Sequence, residues 1–424
     1  QDIQFLSEGG MGKILTGIDP EIGRRVAIKV LRPEIESNRI LLRKFRNEAS
    51  ITGLLEHPNI VPVHEAGEAP DGRVYFSMKL VEGKSLAQLL KEHHKLAEQR
   101  GGVTDPTPFL KHLVRICDAL SFAHSRGVVH RDLKPENLMI GRFGEALVMD
   151  WGLARSIRTD QETGVLLDES TQTNPLRTQD GTVQGTPAYM PPEQALGELS
   201  DIDEQSDVYS LGAILYEIVT GTPPYRESTT QKVLARVRRG QLERPRERAP
   251  EAQIPLELEA VVMKAMATEK RDRYPDAKAF QADIQAYLDG RTLEAARYNP
   301  LQLLAKWVGR NRAVSGVASG FVLIFSLYLL VVGRMEERKN EEALGDAVAS
   351  ATRLCIEAGE IDAWVRNELV VNPDTGLRER EAPQDKMRRE KAIGNYLEAV
   401  GFLEKALLLQ PGQEEIRKER VRVG

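Results

Sequence analysis

Two short polar segments constrain this chain more than anything else in it. The run His130-Arg131-Asp132-Leu133-Lys134-Pro135-Glu136-Asn137 is followed downstream by Asp150-Trp151-Gly152. Together they supply two carboxylates and one amide on successive loops, with a lysine between them. Moving a phosphoryl group needs such a set: one carboxylate to orient a hydroxyl, and oxygen ligands to hold magnesium against phosphates. The segments serve that chemistry only if the fold turns positions 132, 137 and 150 toward one cleft. A chain rich in Asp and Lys meets such spacing by chance far less often when an eight-residue run and a second motif occur together.

Length and composition narrow the field further. The 424 residues are too many for one ordinary domain, so two or three units are expected. A hydrophobic content of 41% suffices for real cores. The formal net charge of -5 weighs against a nucleic-acid binder working through bulk positive charge, and no nucleic-acid partner is expected. Cys117 and Cys355 lie far apart and form no CxxC pair, so neither a disulfide framework nor a cysteine-rich zinc site is expected. Gln1 stands directly before a strand-like run with no signal peptide, the pattern of a fragment or a trimmed product. From Gln1 to about Leu80, short strands are punctuated by glycine. The β-branched runs Val26–Val30 and Val74–Met78 predict strands, and apolar spacing over Leu41–Leu55 predicts a helix. From Ser85 to about Leu288 helical segments dominate, as at Leu110–His124 and Asp207–Thr220.

In this order the motifs resemble those of a protein kinase, in particular the bacterial receptor-type (Hanks-type) serine/threonine kinases. The resemblance covers about two-thirds of the chain. It implies an α+β, two-lobed protein-kinase fold over residues 1–289, with an N-lobe of about 1–79 and a C-lobe of about 80–289. Leu6-Ser7-Glu8-Gly9-Gly10-Met11-Gly12-Lys13-Ile14 is similar to the glycine-rich loop over ATP, with Ser7 in place of the first glycine. The resemblance assigns nucleotide contacts to Leu6, Ser7, Gly9, Gly10, Gly12, Ile14, Ala27, Lys29, Glu48, Met78, Leu80 and Leu138. Lys29 would neutralise the α- and β-phosphates and Glu48 would hold it, with Glu36 and Glu56 as nearby alternatives. Met78 matches the gatekeeper behind adenine, and Lys79 replaces an acidic residue common in that hinge.

Asp132 would orient the substrate hydroxyl and Lys134 would stabilise charge on the transferring group. Asn137 and Asp150 would take Mg2+, with Mn2+ as an alternative ion. The Lys-Pro-Glu-Asn form is similar to serine/threonine rather than tyrosine kinases. His130 is expected to pack rather than catalyse. Trp151 stands where the family usually has Phe and brings an indole N–H that needs a partner when buried. Thr186 matches the threonine that bonds the catalytic Asp and Lys. Pro191-Pro192-Glu193 replaces the family's Ala-Pro-Glu, and Glu193 is expected to pair with Arg273. If that pair is buried, losing one partner costs roughly 3–5 kcal/mol. Asp207 is expected to anchor the backbone of the loop around Asp132. Arg131 would pair with a phosphate added at Thr178 or Thr182, giving activation by trans-autophosphorylation.

Beyond the kinase-like region, residues 290–312 form a basic, partly amphipathic linker. Ala313 to Val332 then runs without a charge, long enough for a transmembrane helix. Lysines and arginines balance across its ends, so the positive-inside pattern is weak. The need for ATP instead puts the kinase-like domain in the cytoplasm and residues 333–424 outside the cell membrane. Gly316 and Gly320 form a GxxxG pattern consistent with a homodimer. The outer region reads as all-α, with Leu344, Val348, Ala351, Leu354 and Ala358 at helical spacing. Residues 386–424 are either tetratricopeptide-like or a generic helical hairpin. Expected partners are protein substrates, a second copy of the chain and the membrane. The alternative is a catalytically silent pseudokinase that scaffolds partners through its helical C-terminal region, a role that leaves Lys29, Asp132, Asn137 and Asp150 without a reason to occur together.

Overall fold

The computed structural model describes residues 2–9, 11–99, 105–156, 186–368 and 383–409. Gly10, Thr178 and Thr182 lie outside the described residues. The chain divides into two compact units, Gln1–Arg310 and Asn311–Gly424.

The first unit begins with a five-stranded antiparallel sheet of β1 (Gln4–Glu8), β2 (Gly12–Ile18), β3 (Arg25–Leu31), β4 (Val63–Glu68) and β5 (Val74–Lys79), in the order β1-β2-β3-β5-β4. The β-branched runs become β3 and β5 because alternation turns Ala27, Leu31, Val74, Phe76 and Met78 onto a shared buried face. Against that face packs the helix Arg39–Leu54, which buries Phe45, Glu48, Ala49, Ile51 and Thr52. Asn38 caps it, its side-chain oxygen accepting from the N–H groups of Ile40 and Leu41. Gly12 is dictated by crowding: a Cβ there would meet the Val30 carbonyl oxygen on β3 at 2.6 Å.

The helical lobe is built on a larger core centred on the helices Thr107–Ser125, Glu204–Thr220, Leu256–Ala265 and Ala277–Leu288. Its Glu204–Thr220 helix is apolar nearly all round and is buried accordingly. A small sheet of β6 (Gly83–Ser85), with β7 (Val128–Val129) nearby in sequence, β8 (Leu138–Gly141) and β9 (Ala146–Val148) carries the two polar segments. β6, β8 and β9 pair in the order β6-β8-β9, while β7 pairs instead with β10 (Arg155–Ser156). The expected two-lobed α+β architecture is therefore present, sheet first and helices after.

The second unit holds the helices Arg312–Glu368 and Pro383–Leu409. One stretch, beginning at Ser315, is long and apolar enough to cross a membrane. Its side chains from Phe321 to Val332 are exposed on every side, unlike a helix of a soluble core. Further along, Leu344, Ala347 and Ala351 pack with Ala399 against Val348, Leu354 and Phe402. Glu357 accepts from the amide of Asn395, so the two helices run antiparallel. Residues 383–409 form one helix, and among the described residues the two helices meet through small side chains.

Candidate active site

The loop between β7 and β8 owes its shape to a carboxylate more than seventy residues downstream. Asp207, fully buried in the Glu204–Thr220 helix, accepts from the backbone N–H of His130 at 2.9 Å and of Arg131 at 3.0 Å. Its second contact set includes His124 Nε2 at 2.8 Å. Burial alone would push the Asp207 carboxyl up, but these donors and the nearby imidazoles hold it below the usual carboxylate range. His130 is buried, its Nε2 lying 3.1 Å from the Met149 carbonyl and its ring 4.7 Å from that of Trp151, so it packs as expected. Arg131 adopts φ 69° and Asp150 φ 60°, two of four such non-glycine residues in the described chain. Left-handed backbone outside glycine is a strained conformation that the surroundings must enforce.

That enforced shape brings the polar groups together. Lys134 Nζ donates to Asp132 Oδ2 at 2.8 Å, and Asn137 Nδ2 donates to the Asp132 carbonyl at 2.8 Å. The amide nitrogen of Asn137 is thus committed to Asp132, which leaves its side-chain oxygen as the atom able to meet a cation. Asn137 is tied in turn to the second segment, its carbonyl accepting from Met149 N at 2.9 Å. Asp150 keeps a side chain 45% exposed, and its Oδ1 lies 3.8 Å from Lys29 Nζ on β3. This contact runs from the sheet lobe to the helical lobe. Desolvation opposes ionisation of Asp150, yet Lys29, His130 and Lys134 outweigh it and hold the carboxyl low.

Lys29 Nζ also donates to Glu48 Oε1 at 2.5 Å. Of the three nearby glutamates Glu48 is thus the one that holds Lys29; Glu36 ends the short helix Pro33–Glu36 and Glu56 lies beyond the Arg39–Leu54 helix. Burial lowers the Lys29 ammonium, but Glu48 and Asp150 together leave it raised. Burial pushes Glu48 the other way, up to about 7, against the pull of Lys29. Glu48 Oε2 has no hydrogen-bond partner among the described residues. Gly152 completes the crowding: a Cβ there would lie 3.1 Å from Asp150 Oδ1 and 3.2 Å from Glu48 Oε2.

The remaining expected residues distribute unevenly. Leu6 and Ser7 lie on exposed β1, Gly9 N donates to the Gly12 carbonyl at 2.9 Å, and Ile14 is half-buried on β2. Ala27 and Met78 are buried partners across β3 and β5, with Leu80 packed against the same cluster. Leu138 needs correcting: it is fully buried in the helical-lobe core and has no surface to offer a nucleotide. Strand alternation turns its neighbour Met139, half-buried and outside that core, to the opposite face. Only the parity of β8 reveals this. Thr186 makes no hydrogen bond to Asp132 or Lys134 among the described residues; Lys134 is turned onto Asp132 instead. Trp151 is fully buried, and its indole N–H finds no partner among the described residues.

Two supporting features lie at the rim. Arg273 grips Glu193 with two bonds of 2.9 Å, both side chains buried, and Ser206 Oγ adds a third at 2.7 Å. Burial and the field of Arg155 bring the Arg131 guanidinium down to about 10, against the opposing pull of Asp207. Lys44, on the helix Arg39–Leu54, is lowered by burial and then by Arg131. Lys44 and Arg155, on separate elements, each bring like charge toward Arg131 beside the segment that leaves Gly152.

A carboxylate, an amide oxygen and a hydroxyl-orienting acid suit a divalent ion shared with phosphates better than a resident metal cage. Among the described residues no group of three or more His, Cys, Asp or Glu could hold a metal alone. Mg2+ typically takes one or two protein oxygens and completes its shell with water and substrate phosphates. The donor set present fits that ion.

Residues 1–283 match the protein kinase domain family. The serine/threonine-protein kinase PknD of Protochlamydia amoebophila is 36% identical over 299 residues, 69% of this chain and 30% of that protein. The PknD of Chlamydia caviae is 37% identical over 295 residues, 68% of this chain and 31% of that protein. That of Chlamydia pneumoniae is 35% identical over 295 residues, with the same two shares. The chain thus spans about three-tenths of the length of these curated relatives. With the family match covering the sheet lobe, both polar segments and the helical core, this chain belongs to the protein kinase family.

Proposed function

We propose that this chain is a membrane-anchored serine/threonine protein kinase that transfers the γ-phosphate of ATP to protein Ser/Thr hydroxyls. The observation that carries the reading is the line of ionic contacts from Glu48 through Lys29 to Asp150, which joins the two lobes across one cleft. In this reading Lys29, steadied by Glu48, meets the α- and β-phosphates. Ala27, Met78 and Leu80, with Met139, enclose the adenine, and Leu6, Ser7, Gly9, Gly10, Gly12 and Ile14 cover the phosphates. Asn137 and Asp150 would hold Mg2+ or Mn2+, which when bound neutralises charge on the phosphates. Asp132 accepts a hydrogen bond from the substrate hydroxyl and orients it for in-line attack. Lys134 shares Asp132 and stabilises the transferring group.

The domain plan that goes with this is a kinase domain over residues 1–289, a linker over 290–312, a spanning helix over 313–332 and an extracytoplasmic helical region over 333–424. The exposed apolar helix supports the anchor, and the requirement for ATP supports a cytoplasmic kinase domain. The cation group of Lys44, Arg131 and Arg155 supports activation by trans-autophosphorylation at Thr178 or Thr182, with Thr186 in the same segment. A homodimer brings two copies together for that step.

The test is phosphate transfer to a generic basic protein with Mg2+ and ATP. Asp132→Asn is expected to lower the rate by roughly 10²–10⁴-fold, the usual worth of a positioned acid–base group. Equal rates in both chains would remove the enzyme and leave a scaffold. Incubating the Asp132→Asn chain with wild type and mapping its phosphopeptides tests the trans step, which fails if residues 178 and 182 stay unmodified.

A further inference from the structure

The helix Pro300–Arg310 is built inside out. A surface helix normally turns its apolar stripe to the core and its charges to water. Here the face toward the helical lobe carries Gln302, Ala305 and Lys306, which line a cavity of about 480 Å³ with Leu256, Ala260 and Met263. Lys306, its side chain 22% exposed, is the best covered residue of the helix. Its ammonium meets Glu257 Oε1 at 2.6 Å, donates to the Arg291 carbonyl at 2.8 Å and lies over the Tyr298 ring. Tyr298 also donates to Glu257, at 2.9 Å. The helix is therefore pinned to its lobe by polar contacts. Leu301, Leu304, Trp307 and Val308, three and four residues apart, stay exposed, with Leu301 at 77%. A contiguous apolar strip of this kind marks an interaction surface.

We infer that this strip lies in the interface of an anionic lipid bilayer and fastens the helical lobe to the membrane surface. The inference rests on the proposed spanning helix. Trp307 precedes Ala313, the start of the uncharged run, by six residues. Even fully extended, that length of chain reaches only about 20 Å, so the strip cannot leave the neighbourhood of the headgroups. From Ala295 to Val332 the charged residues are Arg297, Lys306, Arg310 and Arg312, with no Asp or Glu among them; Lys306 is spent on Glu257, which leaves the arginines to face the headgroups. Such a cationic, acid-free stretch complements anionic headgroups. Trp307 supplies the amphipathic ring that favours the boundary between headgroup and acyl chain. A second copy of the chain would bury the same leucines but would gain nothing from this one-sided charge.

The experiment uses the full chain in vesicles of phosphatidylglycerol and phosphatidylcholine, brominated either near the glycerol backbone or near the acyl ends. The signal is the fluorescence lost on Trp307→Phe. Shallow bromine is expected to quench that component by roughly twofold or more, and deep bromine much less, as befits an interfacial helix. Leu301→Gln with Leu304→Gln, keeping Trp307, is expected to reduce the shallow quenching without changing transfer to a basic protein. Chain that resists carbonate extraction while Trp307 escapes quenching overturns the surface helix and leaves the anchor standing. Chain washed off the vesicles overturns both. Unquenched emission that varies with the protein-to-lipid ratio overturns the lipid contact in favour of a second copy.

Discussion

Asp207 and Glu48 are both buried carboxylates close to one cleft, and they are held in opposite ways. Asp207 collects two backbone N–H groups and an imidazole, and its carboxyl stays below the ordinary range. Among the described residues Glu48 has one ion-pair partner and one oxygen without a hydrogen bond, and burial lifts it to about 7. A satisfied buried polar network rigidifies its surroundings, while a half-satisfied one is costly and easily rearranged. The helical-lobe side of the cleft is accordingly a fixed floor. The sheet-lobe side is a contact that forms or breaks with modest changes in charge.

The largest expected effect lies on the fixed side. Asp207→Ala leaves two buried N–H groups and His124 unmatched and should cost roughly 3–5 kcal/mol in urea unfolding, the scale of breaking a buried ion pair. Arg273→Ala should come next, because it strands Glu193 among Ser206 and apolar neighbours; a loss under about 1 kcal/mol would contradict the burial seen here. Glu48→Gln should sharpen the contrast by dissociating stability from activity. Its unfolding free energy at pH 8 should stay within about 1 kcal/mol of wild type, because a poorly compensated charge is removed along with its ion pair. Transfer to a basic protein should nevertheless fall at least about tenfold, as Lys29 loses the group that steadies it.

Acid titration separates the two carboxylates by sign. Glu48 is raised in the folded chain, so folding takes up a proton between about 7 and its ordinary 4.5. Its contribution to stability therefore grows as pH falls through that window and should vanish in Glu48→Gln. Asp207 is lowered, so its contribution is full above its ordinary 3.8 and is lost only as pH falls below that value. Urea midpoints for wild type and Glu48→Gln between pH 8 and 5 would show it; parallel curves would refute the raised Glu48. The smallest effect belongs to Trp151→Phe. Removing an unmatched buried N–H offsets the lost ring volume, so stability should move by about 1 kcal/mol or less.

What could be read from the chain itself followed the linear motifs. Lys29, Asp132, Asn137 and Asp150 sit in runs whose resemblance to the kinase motifs implies a shared cleft, and β3, β5 and the principal helices follow their hydrophobic periods. Partner choice was harder wherever it depended on which face of an element turns inward. Glu48 is set apart from Glu36 and Glu56 by its place on the buried face of the Arg39–Leu54 helix, to which the other two do not belong. Leu138 and Met139 are both apolar, and one step along a strand reverses the side chain. The Pro300–Arg310 helix has an obvious amphipathic pattern, but its period does not say which face meets protein. The Lys44–Arg131–Arg155 group comes from elements far apart in sequence and has no linear signature.

The hold of Asp207 on the loop at 130–131 also sets an order of events during synthesis. On a ribosome, the motif that names the family emerges long before the helix that shapes it, and Arg273 follows later still. A nascent chain halted between those points would display every signature residue of the cleft without the anchor that bends Arg131 into its left-handed turn. The bend at Arg131 then waits on a carboxylate made more than seventy positions later.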